Sequence, residues 1–267
     1  MQRLAIVVIL SLFAGLNTAS AVLVDWGTLS WTAGSLSNSY DIDPGNAGND
    51  ITVTVSGDTA QLQPSLVTGN PATPAITRAF DGGFSPGPST LELAANYATN
   101  AQALTVTVTF AAGYTNGVGN VSFSIFDIDF ANSSGNTYQD LIRTISGTSA
   151  TGASISPTIT GLGSNVSLAG SGLSQTLTGT GSNVDTGASS GTGNATITFN
   201  AADVRSVTFT YGSTALFANP TYQHIGINNV TYAVVPEINP TFISLFLCVG
   251  LGVWTSLRQR KLLIRGK

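Results

Sequence analysis

Leu104-Thr105-Val106-Thr107-Val108-Thr109-Phe110 alternates without interruption. In an extended chain successive side chains point to opposite faces, so Leu104, Val106, Val108 and Phe110 share one side and the three threonines the other. The pattern returns at residues 51–55 (ITVTV), 195–199 (ATITF) and 207–211 (VTFTY), all rich in β-branched and aromatic residues. Gly, Asn, Ser and Pro punctuate the intervals. The sequence therefore predicts an all-β fold, an antiparallel β-sandwich of jelly-roll-like type, with a barrel or a β-helix as the alternative architectures. Between Val22 and Ala233 no apolar stripe repeats every 3.6 residues, and only residues 89–97 (STLELAANY) suit one or two helical turns. The last strand is expected over residues 225–233.

The two ends of the chain read differently. Arg3, the apolar run from Leu4 to Leu16, and Ala19-Ser20-Ala21 form the three parts of a cleavable secretory signal over residues 1–21, leaving a mature chain from Val22. At the other end, residues 241–257 (TFISLFLCVGLGVWTSL) carry no charge and have the minimum length of a transmembrane helix. Arg258, Arg260, Lys261, Arg265 and Lys267 follow without an acid, which predicts a cytoplasmic C-terminus on an inner-membrane anchor.

Residues 234–267, with Val235-Pro236-Glu237, an apolar helix containing Gly250 and Gly252, and an Arg-rich end, resemble a PEP-CTERM sorting tail. Ile238 stands where the pattern has a second proline, and Pro240 follows two residues later. The resemblance covers the tail alone. It implies export in a Gram-negative bacterium, recognition and processing by an exosortase-type membrane protease, and delivery to the cell surface or extracellular matrix. It implies an address and no activity.

Composition narrows the exported part, residues 22–233. Twelve acids face only Arg78, Arg143 and Arg205, a net charge of −9, and lysine is absent. No basic surface for nucleic acid can be assembled from that set. Cys248, in the apolar tail, is the single cysteine, so no disulfide staples the domain, which is long enough to fold around one core. Between Thr144 and Ala202 the only ionisable side chain is Asp185, and Gly, Ser and Thr dominate. Within that segment Thr160-Gly-Leu-Gly-Ser-Asn-Val166 recurs as Thr178-Gly-Thr-Gly-Ser-Asn-Val184. Two copies are too few for a solenoid, and the segment reads as a pair of related hairpins, as composition bias, or as a loop projecting from the sandwich.

The chemistry-bearing candidates are few. In Val121-Ser-Phe-Ser-Ile125 the odd positions are apolar, yet Phe126, Ile128 and Phe130 follow as the apolar set, so the buried face switches near Ile125 and Phe126, as a β-bulge does. Asp127 and Asp129 then share one side, and with Asp140, Asn132 and Asn136 they supply oxygens for a structural Ca²⁺. Asp41 to Asp50 is a second oxygen-rich loop, without EF-hand order, which turn-forming Asx residues explain. Gly187-Ala-Ser189-Ser-Gly191 with Asp203 and His224 has the residue order of an α/β-hydrolase but lacks the strand and helix around its serine. Glu92 is the only glutamate of the domain, which is thin for glycoside cleavage. His224 has no second His or Cys for zinc and reads as a hydrogen-bonded residue at a strand start. No catalytic residue is assigned. The expected function is a non-enzymatic structural or adhesive component of the envelope or matrix. The alternative is a carbohydrate-binding module using rings among Trp26, Trp31, Tyr97, Tyr114, Tyr138 and Tyr222; a polysaccharide-acting enzyme comes third.

Overall fold

A computed structural model describes residues 20–65, 67–181 and 191–235. The apolar segments at residues 1–18 and 241–257, together with Pro236, Glu237 and the basic end, lie outside the described residues, as does Ser189. Among the described residues no helix is long and apolar enough to cross a membrane. Among the described residues there are seventeen strands, all paired antiparallel, between Ser20 and Val234.

One layer is built on the segment that opened the sequence. β6 (Ala103–Phe110) pairs with β3 (Ile51–Gly57), which pairs with β2 (Ser37–Tyr40). On its other side β6 pairs with β15 (Val204–Ser213), and β15 with the long β9 (Asn136–Ser149). β8 (Phe130–Ser133), β10 (Ser154–Ile155) and β13 (Thr176–Gly179) add to β9, and β12 (Val166–Ala169) adds to β13.

The second layer centres on β7 (Val118–Phe126). β14 (Ala195–Phe199) lies along one edge of β7, followed by β11 (Thr158–Thr160). The other edge is shared between β16 (Tyr222–Ile227) and β17 (Val230–Val234). Beyond β16 come β5 (Thr90–Asn96) and β4 (Ala75–Thr77); beyond β17 comes β1 (Ser20–Val24). Val204 opposite Val118 joins the two layers at one corner.

The inner faces meet as the alternation requires. Val53, Val106, Val108, Val207 and Phe209 from the first layer and Trp26, Leu91, Phe123, Ile227 and Val230 from the second surround a gap of about 10 Å³, room for one water at most. Each of these side chains is buried, worth roughly 1.5–3 kcal/mol apiece when fully withdrawn from water. This is a packed sandwich core with no ligand-sized space at its centre.

Several sequence expectations change here. Residues 89–97 form β5 rather than helical turns, with Thr90 to Ala95 all buried. The strand is covered on both faces: Leu91, Leu93 and Ala95 join the core, and Thr90, Glu92 and Ala94 are buried on the other side. The single strand expected over residues 225–233 is two, β16 and β17, divided at Asn228-Asn229, where Asn229 Oδ1 accepts the Trp26 N–H at 3.0 Å. The described residues of the Gly/Ser/Thr-rich segment supply the end of β9 and all of β10 to β14 rather than a projecting loop. Its two similar heptads flank one hairpin instead of forming one each, since Val166 of the first pairs with Gly179 of the second. The face switch after Ile125 is made by a left-handed residue, Asp127 at φ 66, beyond the end of β7.

Outward-facing positions carry hydroxyls. Across the first layer Ser39, Thr52, Thr109, Ser206, Thr148 and Ser154 align in one row, and Ser37, Thr54, Thr107, Thr208 and Ser146 in the next. Neighbouring hydroxyls hydrogen-bond at 2.7 Å for Ser39 and Thr52, and at 3.1 Å for both Ser37 with Thr54 and Thr107 with Thr208. The second layer repeats the device, with Ser122 and Thr198 at 2.9 Å and Ser124 and Thr196 at 2.8 Å. Within a row, successive positions lie on adjacent strands and are spaced by about 4.8 Å, the inter-strand distance.

Candidate functional site

The polar groups that gather on the second layer come from strands distant in sequence. Gly226 of β16 lies opposite Glu92 of β5 on one side and Phe126 of β7 on the other. His224, two residues earlier on β16, points to the same face as Gly226. A Cβ at Gly226 would stand 2.8 Å from Phe80 and 3.0 Å from Thr90 Oγ1, so glycine there lets the loop bearing Phe80 settle on the strand. Phe80 then meets the His224 ring edge to face at 4.4 Å, and Tyr222 flanks it at 5.4 Å.

His224 sits between two carboxylates. Its Nδ1 is 3.9 Å from Glu92 Oε1 and its Nε2 is 3.6 Å from Asp127 Oδ2. Both separations exceed a hydrogen bond, but whichever nitrogen carries the proton faces an acid. Glu92 is fully buried; its Oε2 accepts from Ser65 at 2.7 Å and Thr77 at 2.8 Å, while Oε1 and His224 Nδ1 have no hydrogen-bond partner. Burial pushes the Tyr222 hydroxyl up to about 12, with a smaller push from the Glu92 charge. Among the described residues, the Ser65 and Thr77 hydroxyls near the imidazole donate to Glu92. The arrangement orients and holds polar groups.

Phe84, 53% exposed, marks where this cluster reaches the surface. Its ring lies 5.9 Å from Phe126. The loop between them turns at Gly82, φ 62, where a Cβ would stand 2.7 Å from the Phe126 ring, and Asn194 Nδ2 ties down Gly82 O at 2.8 Å.

The three acids expected to hold Ca²⁺ do approach one another, but they point to different partners. Asp127 faces His224. Asp140 is fully buried; its Oδ1 accepts the Tyr211 hydroxyl and its Oδ2 the Asp129 backbone N–H, both at 3.0 Å. Burial, then the negative charge of Asp129, holds the Asp140 carboxyl well above the usual carboxylate range. Burial also raises the Tyr138 and Tyr211 hydroxyls beside it. Among the described residues no three or more His, Cys, Asp or Glu side chains are arranged to hold a metal ion. Asn132 and Asn136 lie out on the β8–β9 hairpin, where Asn136 Oδ1 accepts from the Thr221 hydroxyl.

The Asp41 to Asp50 loop closes on its own last residue. Asp50 Oδ2 accepts the backbone N–H groups of Ile42 at 2.6 Å and Asp43 at 2.5 Å; Oδ1 accepts from Asn46 at 2.8 Å and Tyr114 at 3.0 Å. Burial pushes this carboxyl up, but the donors outweigh burial and hold it below the usual value.

Of the six rings nominated for sugar stacking, Trp26, Trp31, Tyr97, Tyr114 and Tyr138 are buried, and only Tyr222 is half-exposed. They pack the core. His224 is the third residue of β16, and its Nδ1 takes part in no hydrogen bond. Its pairing with Glu92 and Asp127 had no signal in local sequence, because the partners lie on β5 and just past β7. Asp203 is not among those partners. Val235 is the last described residue of the sorting element.

No family model matches the chain and no curated protein matches it by sequence. Among solved structures it is similar to the family 11 carbohydrate-binding module from Clostridium thermocellum in complex with a beta-1,3-1,4-mixed-linked tetrasaccharide, at 13% identity and TM-score 0.30, over 83% of this chain and 100% of that one. It is also similar to TmCBM27, a carbohydrate-binding module studied for specific mannan recognition, at 13% identity and TM-score 0.32, over 82% and 100% of the two chains.

Proposed function

We propose that the chain is an exported, surface-directed, non-enzymatic protein that acts as a structural or adhesive component of the envelope or matrix, in contact with hydrated, uncharged polysaccharide. The tail after Val234 is its sorting signal, processed by an exosortase-type protease, and the inner membrane holds it beforehand. The observation that carries this reading is the pair of hydroxyl rows across the first layer, which contain no charged side chain. An uncharged polyol chain can exchange hydrogen bonds with such a surface without desolvating an ion on either side. The acidic composition of residues 22–233, which contain no lysine, argues against anionic partners.

Co-sedimentation of the full chain, isolated from its host, with that host's extracellular polysaccharide tests the proposal. Retention without release of reducing ends is expected, and replacing Thr107 and Thr208 by lysine should reduce it. Loss of all retention in the wild type, or measurable depolymerisation, would sink the reading. A discrete carbohydrate-binding site is favoured by one separate observation, the exposed Phe84 ring beside the His224 cluster. If Phe84→Ala abolishes retention while the threonine variants do not, that second reading is the correct one.

A further inference from the structure

β1 and β17 run antiparallel in a fixed register: Ser20 lies opposite Val234, Ala21 opposite Ala233, Val22 opposite Tyr232. The other edge of β17 is occupied by β7, with Ala233 opposite Gly119 and Val234 opposite Val118. Leader cleavage after Ala21 would remove two residues of β1, and they are the ones that cover Ala233 and Val234. Among the described strands no other pairs with that edge of β17. The mature domain is left with a bare main-chain edge at Ala233-Val234, next in sequence to Val235-Pro236-Glu237.

We propose that this edge is the docking site for an extended strand of the membrane protease that processes the tail, and that leader cleavage creates it. The inference rests on the sorting-tail reading above. Its occupant follows from position: the edge is contiguous with the element to be cut, so a strand added there holds the scissile region extended. Two or three residues span roughly 7–10 Å, long enough for paired main-chain hydrogen bonds and too short to template open-ended association. Pro236 has no N–H, so the ladder stops at Val235 and fixes the register of docking.

The test fills the edge without blocking the leader. Two threonines inserted between Ala21 and Val22 leave Ala19-Ser20-Ala21 intact and restore a five-residue β1 after cleavage. A Thr-Pro insertion of the same length cannot complete the ladder. In the native host, pulse-chase with intact-mass readout should show Thr-Thr slowing loss of the tail about tenfold, the loss of roughly two main-chain hydrogen bonds, with Thr-Pro near wild type. Both variants must begin at the inserted threonine. Wild-type processing in the Thr-Thr variant, or equal slowing by Thr-Pro, overturns the docking edge while leaving the sorting tail standing. Retention of Lys267 in every fraction of the wild type overturns the sorting reading and the edge together.

Discussion

Asp140 offers the sharpest test of the interior. Its carboxyl accepts from Tyr211 and from the Asp129 backbone, and burial together with Asp129 raises its proton affinity above that of the unfolded chain. The folded state therefore keeps this proton when the unfolded state has released it. The stabilisation is fully present below the ordinary carboxyl value of 3.8 and is lost as pH rises from there through the higher folded value. Every tenfold by which folding tightens proton binding is worth about 1.4 kcal/mol. Asp140→Asn cannot titrate, yet its amide oxygen can take the Asp129 N–H and its NH₂ can donate to the Tyr211 oxygen. The melting temperature of Asp140→Asn relative to wild type should thus climb as pH goes from 4 to 8. Asp140→Ala instead orphans two buried donors at about 1–3 kcal/mol each, a loss of roughly 5–20 °C at pH 4 for a domain of this size; it cannot titrate either, so its deficit relative to wild type narrows with pH in parallel with the trend of Asp140→Asn. Thermal melts of the three proteins at pH 4, 6 and 8 decide it. A difference between Asp140→Asn and wild type that is flat with pH, or that falls, would refute the reasoning.

Asp50 should behave in the opposite sense. Its carboxyl is held low by the backbone N–H groups of Asp43 and Ile42, so its stabilisation is present above 3.8 and disappears as pH falls through the lower folded value. Asp50→Asn is expected to cost about 1–3 kcal/mol at pH 7 and progressively less in acid, measured by urea melts at pH 7 and pH 3. Gly82→Ala places a methyl against the Phe126 ring at a positive φ and should cost about 1–3 kcal/mol; an unchanged melting temperature would mean the loop does not pack as described. Chelation with EDTA should leave the melting temperature alone, because Asp140 already gives both oxygens to protein donors. A drop of several degrees, restored by Ca²⁺, would revive the cation site.

The strands that were legible are those with one wet face. β3, β6, β14 and the central part of β15 alternate visibly because threonines and valines sort to opposite sides. β5 was not legible: Leu91-Glu92-Leu93 alternates for only three residues before Ala94-Ala95, a stretch of good helix formers, and burial of both faces leaves no polar side to mark it as a strand. The switch after Ile125 was visible as a change of phase, but its agent was not: an aspartate at positive φ leaves no mark that distinguishes it from a bulge. The acids Asp127, Asp129 and Asp140 were found as a group by spacing alone. Their separation toward His224, Tyr138 and Tyr211 depends on strands brought in from elsewhere, and no local pattern encodes it. The buried fate of Trp26 and Tyr97 likewise follows from which sheet closes over them.

The placement of β17 bears on how the domain would carry load. A tether leaving at Val235 pulls along the axis of a strand hydrogen-bonded to β1 and to β7. If the opposing force enters through the far layer, the bonds flanking β17 are strained side by side in shear and must yield together, unlike a hairpin peeled open one rung at a time. Such a strand resists sudden tension better than its equilibrium stability suggests. For a protein held by one end in a moving matrix, rupture force would be the property under selection, and a pulling experiment through Val235 would measure it directly.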